Sequence, residues 1–446
     1  MKFRGLFVAA VVLAILSGTL YWSNHRKAKE AAVTTVEASP KVLSLNSADL
    51  VSVTISKKGA EDLALSKNDT GQWRITAPKP LGADQDAVSS LVSTLSSLNS
   101  DRLVEDKATD LSPYGLAQPS LVVSATDKNK KTVSLRLGDD TPAGSGAYAA
   151  VAGDPRVFII ASYNKSSLDK GFNDLRDKRL LSFDSDKVSR IELTAKKQSI
   201  EFGRSKEQWQ ILKPKPLRAD QFAVDDLVRS LHDAKMELSA SDDEKKILAA
   251  FNSGTVFAAA KVTDMSGTQE LQIRKNKDDY YAKSSAVAGV YKVLSTAGTA
   301  LDKSLDDFRN KKLFDFGFTE PDKIEMHDGI KAYVLTHTGS DWWMTGTKME
   351  ETSVSPLVGA IRDLTASKFP DNGFAAPVMD ITVTSDSGKR IEKVLISRTG
   401  DHVVAKRENE PALYELPVSS LTDLQNSGAG VKPAAPAAPA APTKKK

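Results

Sequence analysis

Two stretches of this chain decide its fold, because they carry nearly the same sequence. Residues 72–88 read QWRITAPKPLGADQDAV, and residues 208–224 read QWQILKPKPLRADQFAV. In each, a short strand pattern around a Trp precedes two prolines, which cannot donate to a β-ladder and therefore end the strand. Asp84 and Asp220 then occupy the N-cap position of a helix. The pattern predicts one strand–turn–helix joint that is built twice.

The similarity extends over most of the chain at a constant spacing. Trp73 and Trp209 are 136 residues apart, as are Asp84 and Asp220, so no net insertion separates these landmarks. A third copy begins its Trp strand with WWM at Trp342, but it lacks the Pro-Lys-Pro triplet. Units of this size are tandem domains rather than the short repeats of a solenoid.

Each Trp strand is followed by a helix pattern and then by alternating strands. Residues 120–131, 256–267 and 378–388 alternate apolar and polar side chains and end in a hairpin turn. We therefore predict an α+β fold with three tandem homologous units, each a mostly antiparallel sheet with a main helix packed on one face. The apolar helix faces are Ala87, Val88, Leu91, Val92, Leu95 and Leu98, then Ala223, Val224, Leu227, Val228 and Leu231, then Val354, Leu357, Val358, Ile361 and Leu364.

An uncharged N-terminal segment precedes these units. Residues 5–23 are long enough to span most of a bilayer core, and Tyr21 and Trp22 lie at its far end, where aromatic side chains prefer the headgroup layer. The alternative is a cleaved signal peptide, although bulky residues occupy the position where a cleavage site needs small ones. The favoured prediction is a single transmembrane anchor in the inner membrane, with the bulk of the chain in the periplasm.

The predicted organisation has six parts. They are an anchor at 1–30, a linker at 31–42, repeat units at 43–181, 182–314 and 315–427, and a disordered Ala/Pro-rich basic tail at 428–446. The motifs FNDLRDKRLLSF (172–183) and LDDFRNKKLFDF (305–316) mark the joints, and the third copy is expected to end before such a joint.

Charge and composition exclude several classes of function. The net charge is +4, but the first 30 and last 16 residues carry nine of the 61 basic residues and one of the 57 acids, so residues 31–430 are net negative. Nucleic-acid binding, which needs positive charge on the folded surface, is therefore not expected. The absence of cysteine excludes disulfides, thiolate nucleophiles, Cys-ligated zinc and iron–sulfur clusters.

No catalytic pattern emerges from the remaining residues. The five histidines, His25, His232, His327, His337 and His402, are scattered and form no metal-binding motif. Adjacent acids such as Asp242–Asp243 and Asp306–Asp307 are typical of turns and helix starts. The Trp strands suit a core better than a sugar-stacking platform. We expect no catalytic, cofactor-binding or metal-binding residues, and expect specialisation where the copies differ, at Gly82 against Arg218 and Asp86 against Phe222.

The chain resembles a bacterial family of unknown function, DUF4340. The resemblance rests on WRITAPKPLGADQDAV, WQILKPKPLRADQFAV, DLRDKRLLSF and DFRNKKLFDF, and it covers residues 42–424. Members have no established activity, and some are linked to auxiliary proteins of ABC-type export systems, including the gliding-motility type. The resemblance implies a non-enzymatic accessory or scaffold protein that works with an ABC-type permease and ATPase. A glycan- or lipid-binding envelope module and a hydrolase with an unrecognised site remain as alternatives.

Overall fold

The computed structural model describes residues 40–142, 144–239 and 242–435. The chain forms two compact units that divide between Lys178 and Arg179. The first unit contains one nine-stranded sheet, and the second contains a nine-stranded and an eight-stranded sheet. We call the three sheets, with their helices, repeats 1, 2 and 3. The predicted α+β class with mostly antiparallel sheets is confirmed.

Repeat 1 shows how the sequence pattern becomes a sheet. Its strands are β1 (Leu50–Lys57), β2 (Leu63–Lys67), β3 (Trp73–Ala77), β4 (Leu81–Gly82), β5 (Arg102–Glu105), β6 (Leu121–Asp127), β7 (Thr132–Asp140), β8 (Gly146–Val151) and β9 (Val157–Ala161). Hairpins run outward from β1 to β4, and the chain then crosses through helix α1 (Gln85–Ser96). It returns on the other side of β1, so the order is β4-β3-β2-β1-β6-β7-β8-β9-β5. Two short helices, α2 (Ser162–Leu168) and α3 (Phe172–Leu175), close the repeat.

Repeat 2 has the same topology, with the order β13-β12-β11-β10-β15-β16-β17-β18-β14. Its strands are β10 (Arg190–Ala195), β11 (Gln198–Ser205), β12 (Gln208–Lys213), β13 (Leu217–Arg218), β14 (Met236–Glu237), β15 (Thr255–Asp264), β16 (Gly267–Asn276), β17 (Asp279–Ser284) and β18 (Val290–Val293). Its helices are α4 (Gln221–His232), α5 (Glu244–Ser253) and α6 (Ser295–Leu301). The sequence pattern did not predict α5, although Asp243 caps this helix and its Phe251 side chain is buried.

Repeat 3 lacks the last edge strand, and its order is β22-β21-β20-β19-β23-β24-β25-β26. Its strands are β19 (Lys323–Asp328), β20 (Lys331–Thr338), β21 (Asp341–Met344), β22 (Thr347–Lys348), β23 (Pro377–Ser385), β24 (Arg390–Thr399), β25 (His402–Arg407) and β26 (Leu413–Leu416). The main helix is α7 (Glu351–Arg362), and a second helix, α8 (Val418–Ala429), packs against it.

The main helices bury the predicted apolar faces. In α1 the buried residues include Val88, Leu91 and Leu95. The equivalent positions are buried in α4 and in α7, because residues three and four apart share one side of a helix. Each sheet thereby has its own hydrophobic core. Each fully buried Leu or Val contributes about 1.5–3 kcal/mol, so these faces account for much of the stability of each repeat.

Two predicted boundaries shift. Leu180 and Leu181 pack in the core of repeat 2, and Leu313 and Phe314 pack in the core of repeat 3, whereas the sequence interpretation ended the preceding units at 181 and 314. The cause is backbone pairing. The amide of Leu180 donates to the carbonyl of Ala234, and the amide of Leu313 donates to that of Leu364. The second half of each joint motif therefore starts the next repeat.

The prediction that a disordered tail begins at residue 428 is wrong for residues 428–435. Helix α8 continues to Ala429, and Gly428 is buried so close to Met326 that a Cβ would lie 2.3 Å from the Met methyl group. Beyond the helix, Pro433 forms a bridge with Met349. The predicted anchor at 5–23 and the tail from 436 onward lie outside the described residues. Within the described ranges, no helix is long and apolar enough to cross a membrane.

Candidate functional site

The repeated stretch builds one structural joint. In repeat 1, the Gln85 side chain accepts a hydrogen bond from the Trp73 amide and donates one to the Trp73 carbonyl, each at 2.9 Å. In repeat 2, Gln221 makes the same pair with Trp209 at 2.7 and 3.0 Å. The side chain of Asp84 accepts from the backbone of helix α1, as an N-cap does. The glutamine thus ties the helix start to the edge of the Trp strand, a function that the sequence pattern did not reveal.

A closing segment returns to this joint at the end of every repeat. Arg176, Arg309 and Pro433 form bridges with Ala83, Ala219 and Met349, respectively. The same two backbone hydrogen bonds flank each bridge. In repeat 2, the amide of Asp220 donates to Phe308 and that of Asn310 donates to Arg218. In repeat 3, the amide of Glu350 donates to Lys432 and that of Ala434 donates to Lys348. The third copy, predicted to end before a joint motif like that of residues 172–183, lacks that motif, but its backbone forms the same closing segment.

The difference between Gly82 and Arg218 has a structural consequence. Arg218 lies on the face of repeat 2 that contacts repeat 3. Its guanidinium donates to the carbonyl of Lys312 at 2.8 Å and pairs with the carboxylate of Asp315. Its Nε also lies 3.7 Å from Glu410. Multiple contacts of this kind favour Arg over Lys, because the guanidinium presents several donors in a fixed plane. Arg218 thus connects repeats 2 and 3.

A cluster of charged side chains, of which Glu392 is the most buried, lies on the other side of this contact. Arg407 donates to Glu410 at 2.7 Å and to Glu392 at 3.1 Å, and it also hydrogen-bonds the Leu313 carbonyl. Glu392 in turn accepts from the amide of Asp315 at 3.0 Å. Burial alone would lower the pKa of Arg407, but the carboxylates of Glu410, Glu392 and Asp315 outweigh burial and raise it. Arg407 therefore keeps its positive charge beside these carboxylates.

Aromatic side chains complete the junction. The Arg309 guanidinium lies 3.6 Å from the centre of the Phe369 ring, within the range of a cation–π interaction. Phe369 packs against Tyr414, whose hydroxyl donates to Glu410 at 2.7 Å. Burial, followed by the charge of Glu410, raises the pKa of Tyr414 to about 12. At neutral pH this phenol is a hydrogen-bond donor and cannot serve as a base.

Hydrogen bonds within the protein occupy the polar groups of this junction. Each carboxylate of the cluster accepts from an arginine, and Glu392 also accepts from a backbone amide, so the geometry suits a rigid connection. Removing one partner of such an ion pair strongly lowers the stability of the fold, because the other charge is left uncompensated. Across the described residues, no group of three or more His, Asp or Glu side chains could hold a metal ion. This junction is the strongest candidate site, and its chemistry is that of an internal interface.

An open cleft of about 420 Å³ lies between helices α7 and α8. Its lining side chains include hydroxyl and amide groups, and the one charged residue among them is Lys432, whose Nζ lies 2.9 Å from Glu350. The lining residues are Thr352, Ser353, Pro356, Asn426, Ser427, Gly430 and Lys432. This lining has no acid–base pair, so it offers no evident catalytic arrangement.

The remaining sequence candidates lie apart from the junction. Phe222, which replaces Asp86 of repeat 1, is 87% exposed on helix α4. Trp73, Trp209 and Trp342 are core residues, as predicted. The described histidines lie apart and have local contacts: His232 with Asp233, His327 with Asp380, His402 with Glu415, and His337 stacked on Trp342. His25 lies outside the described residues.

Comparison with known proteins identifies the family. A family model described as a domain of unknown function, DUF4340, matches residues 73–250 and again residues 209–387. These matches cover most of the chain, so the chain belongs to this family. Both matches begin at the Trp of the repeated stretch and run through one closing segment into the next repeat. Neither the curated proteins nor the solved structures gave a match.

Proposed function

We propose that this chain is a non-enzymatic accessory or scaffold protein of the bacterial cell envelope. In this proposal, residues 5–23 anchor it in the inner membrane, the repeats lie in the periplasm, and its partner is an ABC-type permease with its ATPase. The main support is that the side chains shared by the repeats have structural roles. Trp209, Gln221 and Asp220 are all engaged in holding a strand to a helix.

The junction between repeats 2 and 3 also supports a scaffold. Arg218 and Arg309 join the two repeats through an ion pair, a bond to a backbone carbonyl and a cation–π contact. These contacts hold two sheets in one fixed arrangement, which suits a surface that positions other proteins. The proposal of a glycan platform loses its main support, because the Trp side chains that motivated it are buried.

Copurification tests the proposal. The full-length chain, carrying an affinity tag, is recovered from gently solubilised membranes, and the bound proteins are identified by mass spectrometry. We expect enrichment of a permease and its ATPase over a matched control that lacks residues 1–30. Recovery of the full-length chain without membrane partners would contradict the proposal. Retention of residues 31–446 on peptidoglycan or anionic vesicles at low salt would instead favour the envelope-binding alternative.

A further inference from the structure

The junction within the second unit defines two complementary surfaces. The end face of repeat 2 consists of Leu217, Arg218, Ala219 and Arg309, around the closing segment. The start face of repeat 3 consists of Lys312, Asp315, Phe369 and Glu410. Arg218 contacts Asp315 and Glu410, Arg309 covers Phe369, and Leu217 packs against both cores. This pairing is a direct template for how the end of one repeat binds the start of another.

Repeat 3 presents an equivalent end face. Register and bridges place Thr347, Lys348, Met349 and Pro433 at the positions of Leu217, Arg218, Ala219 and Arg309. A basic residue is therefore kept at the position of Arg218, and the Lys348 side chain is 49% exposed while its Nζ pairs with Asp341. In repeat 2, the next core begins four residues after the bridge, at Leu313. At the corresponding point of repeat 3 the sequence reads Ala437-Ala438-Pro439, which has no strand pattern.

Repeat 1 presents an equivalent start face. Its Lys41 bridges Asn99 as Lys312 bridges Thr365. The flanking hydrogen bonds also correspond, since the amide of Ser100 donates to Pro40 as that of Ala366 donates to Lys311. Leu103 therefore lies at the position of Phe369 and is 36% exposed.

An acidic residue also recurs on this start face. Asp154 and Glu410 occupy the same turn before the last long strand, and each is followed by a proline. The carboxylate of Asp154 pairs with Arg156 at 2.6 Å, and this contact lowers the pKa of Asp154. The start face of repeat 1 therefore offers an anion at the position of Glu410 and an apolar side chain at the position of Phe369.

We propose that the end face of repeat 3 binds the start face of repeat 1 in a second copy of this chain. Lys348 then lies against Asp154, and Pro433 lies against Leu103. The contact is heterologous, so each molecule keeps one face for a further copy and the assembly grows head to tail. This self-association is independent of the proposed transport partner.

Mixed single-cysteine variants test this contact, because the native chain has no cysteine. Full-length Lys348→Cys is mixed with full-length Leu103→Cys in detergent and treated with a short bismaleimide over a protein concentration series. Neither variant can cross-link internally, so a mixed dimer reports contact between molecules. In two matched mixtures, one partner is replaced by a variant whose exposed cysteine lies outside the proposed contact. Lys389→Cys replaces Lys348→Cys in the first mixture, and Glu61→Cys replaces Leu103→Cys in the second.

We expect about tenfold more mixed dimer from the Lys348→Cys and Leu103→Cys pair than from either matched mixture. Equal yields in the three mixtures would overturn the proposal. Sedimentation analysis gives an independent readout. The wild-type chain is expected to show a weight-average mass that rises with concentration. Lys348→Glu is expected to abolish the rise with only a small change in the melting temperature, because the pair of Lys348 with Asp341 is exposed to solvent. A monomeric wild-type chain, or an unchanged rise in Lys348→Glu, would also overturn it.

Discussion

The first residues of repeats 2 and 3 form hydrogen bonds through equivalent backbone groups, but the side chains that receive or donate these bonds differ. At the start of repeat 2, Gln269 accepts from the amide of Ser182, and Ser284 donates to the carbonyl of Leu180. At the start of repeat 3, Glu392 accepts from the amide of Asp315, and Arg407 donates to the carbonyl of Leu313. Register places Gln269 and Glu392 at one position, and Ser284 and Arg407 at another. We call these two sets of contacts the neutral start and the charged start.

This difference distinguishes the hydrogen bonds that the fold requires from the contacts that serve the interface between repeats 2 and 3. Buried backbone groups need partners, and a neutral or a charged side chain satisfies that need equally well. The charged start does more, because Arg407 also reaches Glu410, and Glu410 lies near Arg218 of the preceding repeat. Repeat 3 is therefore coupled to repeat 2 through ionised groups, whereas the neutral start of repeat 2 relies on uncharged hydrogen-bonding side chains.

The largest expected effect comes from breaking the charged start. Arg407→Ala is expected to lower the free energy of unfolding of the second unit by about 3–5 kcal/mol, because it leaves the buried Glu392 carboxylate without its partner. Urea denaturation followed by circular dichroism measures the loss. The double variant Glu392→Gln/Arg407→Ser, which installs the residues of repeat 2, is the matched control and is expected to be the more stable of the two. A double variant less stable than Arg407→Ala would contradict the equivalence of the neutral and charged starts.

The Trp strands provide a second test of equivalence. Trp209→Ala and Trp342→Ala are each expected to cost about 3–5 kcal/mol, because both remove a large buried side chain. Within this range, Trp342→Ala is expected at the lower end and Trp209→Ala about 1 kcal/mol above it, since the Trp209 indole also donates to Asp225 at 2.8 Å. Thermal and urea unfolding measure both. An unchanged melting temperature with loss of a binding activity would show that Trp209 belongs to a binding site.

Alkaline pH is expected to weaken the charged junction. The pKa of Tyr414 is about 12 in the folded chain and about 10 in the unfolded chain, so its stabilising contribution is complete below pH 10. That contribution, about 2–3 kcal/mol, is lost as the pH rises from about 10 to 12. Urea denaturation over this range is expected to show a smaller loss in Tyr414→Phe than in the wild type. Parallel pH profiles would argue against this role of the phenol.

The smallest effect is expected at the neutral start. Ser284→Ala removes the donor to the Leu180 carbonyl and is expected to cost about 1–2 kcal/mol, the usual cost of leaving one buried backbone acceptor unpaired. Ser284→Thr keeps the hydroxyl and is expected to be closer to the wild type in urea denaturation. A cost for Ser284→Ala as large as that of Arg407→Ala would erase the distinction between the neutral and charged starts.

Local sequence patterns predicted the elements of this fold but not the contacts that join them. The Trp strands, the caps at Asp84 and Asp220 and the apolar helix faces were confirmed, because each depends on neighbours within a few residues. Helix α5 was missed although Asp243 and Phe251 carry its cap and its buried face. The edge strands β5 and β14 were missed because two to four residues are too few to show a period.

The site was less predictable than the elements. The difference between Arg218 and Gly82 is visible in the sequence, but the partner of Arg218, Asp315, lies 97 residues further along the chain. The closing segment of repeat 3 has the composition of a tail, because Lys432, Pro433 and Ala434 pair through their backbone and leave no side-chain pattern. Long-range pairs of this kind carry no local period that a single sequence can reveal.

The sequence by itself determined that one α+β unit occurs three times and that each Trp strand leads through a turn into an amphipathic helix. Periodicity, proline and capping residues act over short distances, so a single sequence contains the information. Only the tertiary structure decided that Arg218, Asp315 and Arg407 meet and that Pro433 closes repeat 3. Those contacts form because sheet register brings distant residues together, and one shift of register would place other side chains at the junction.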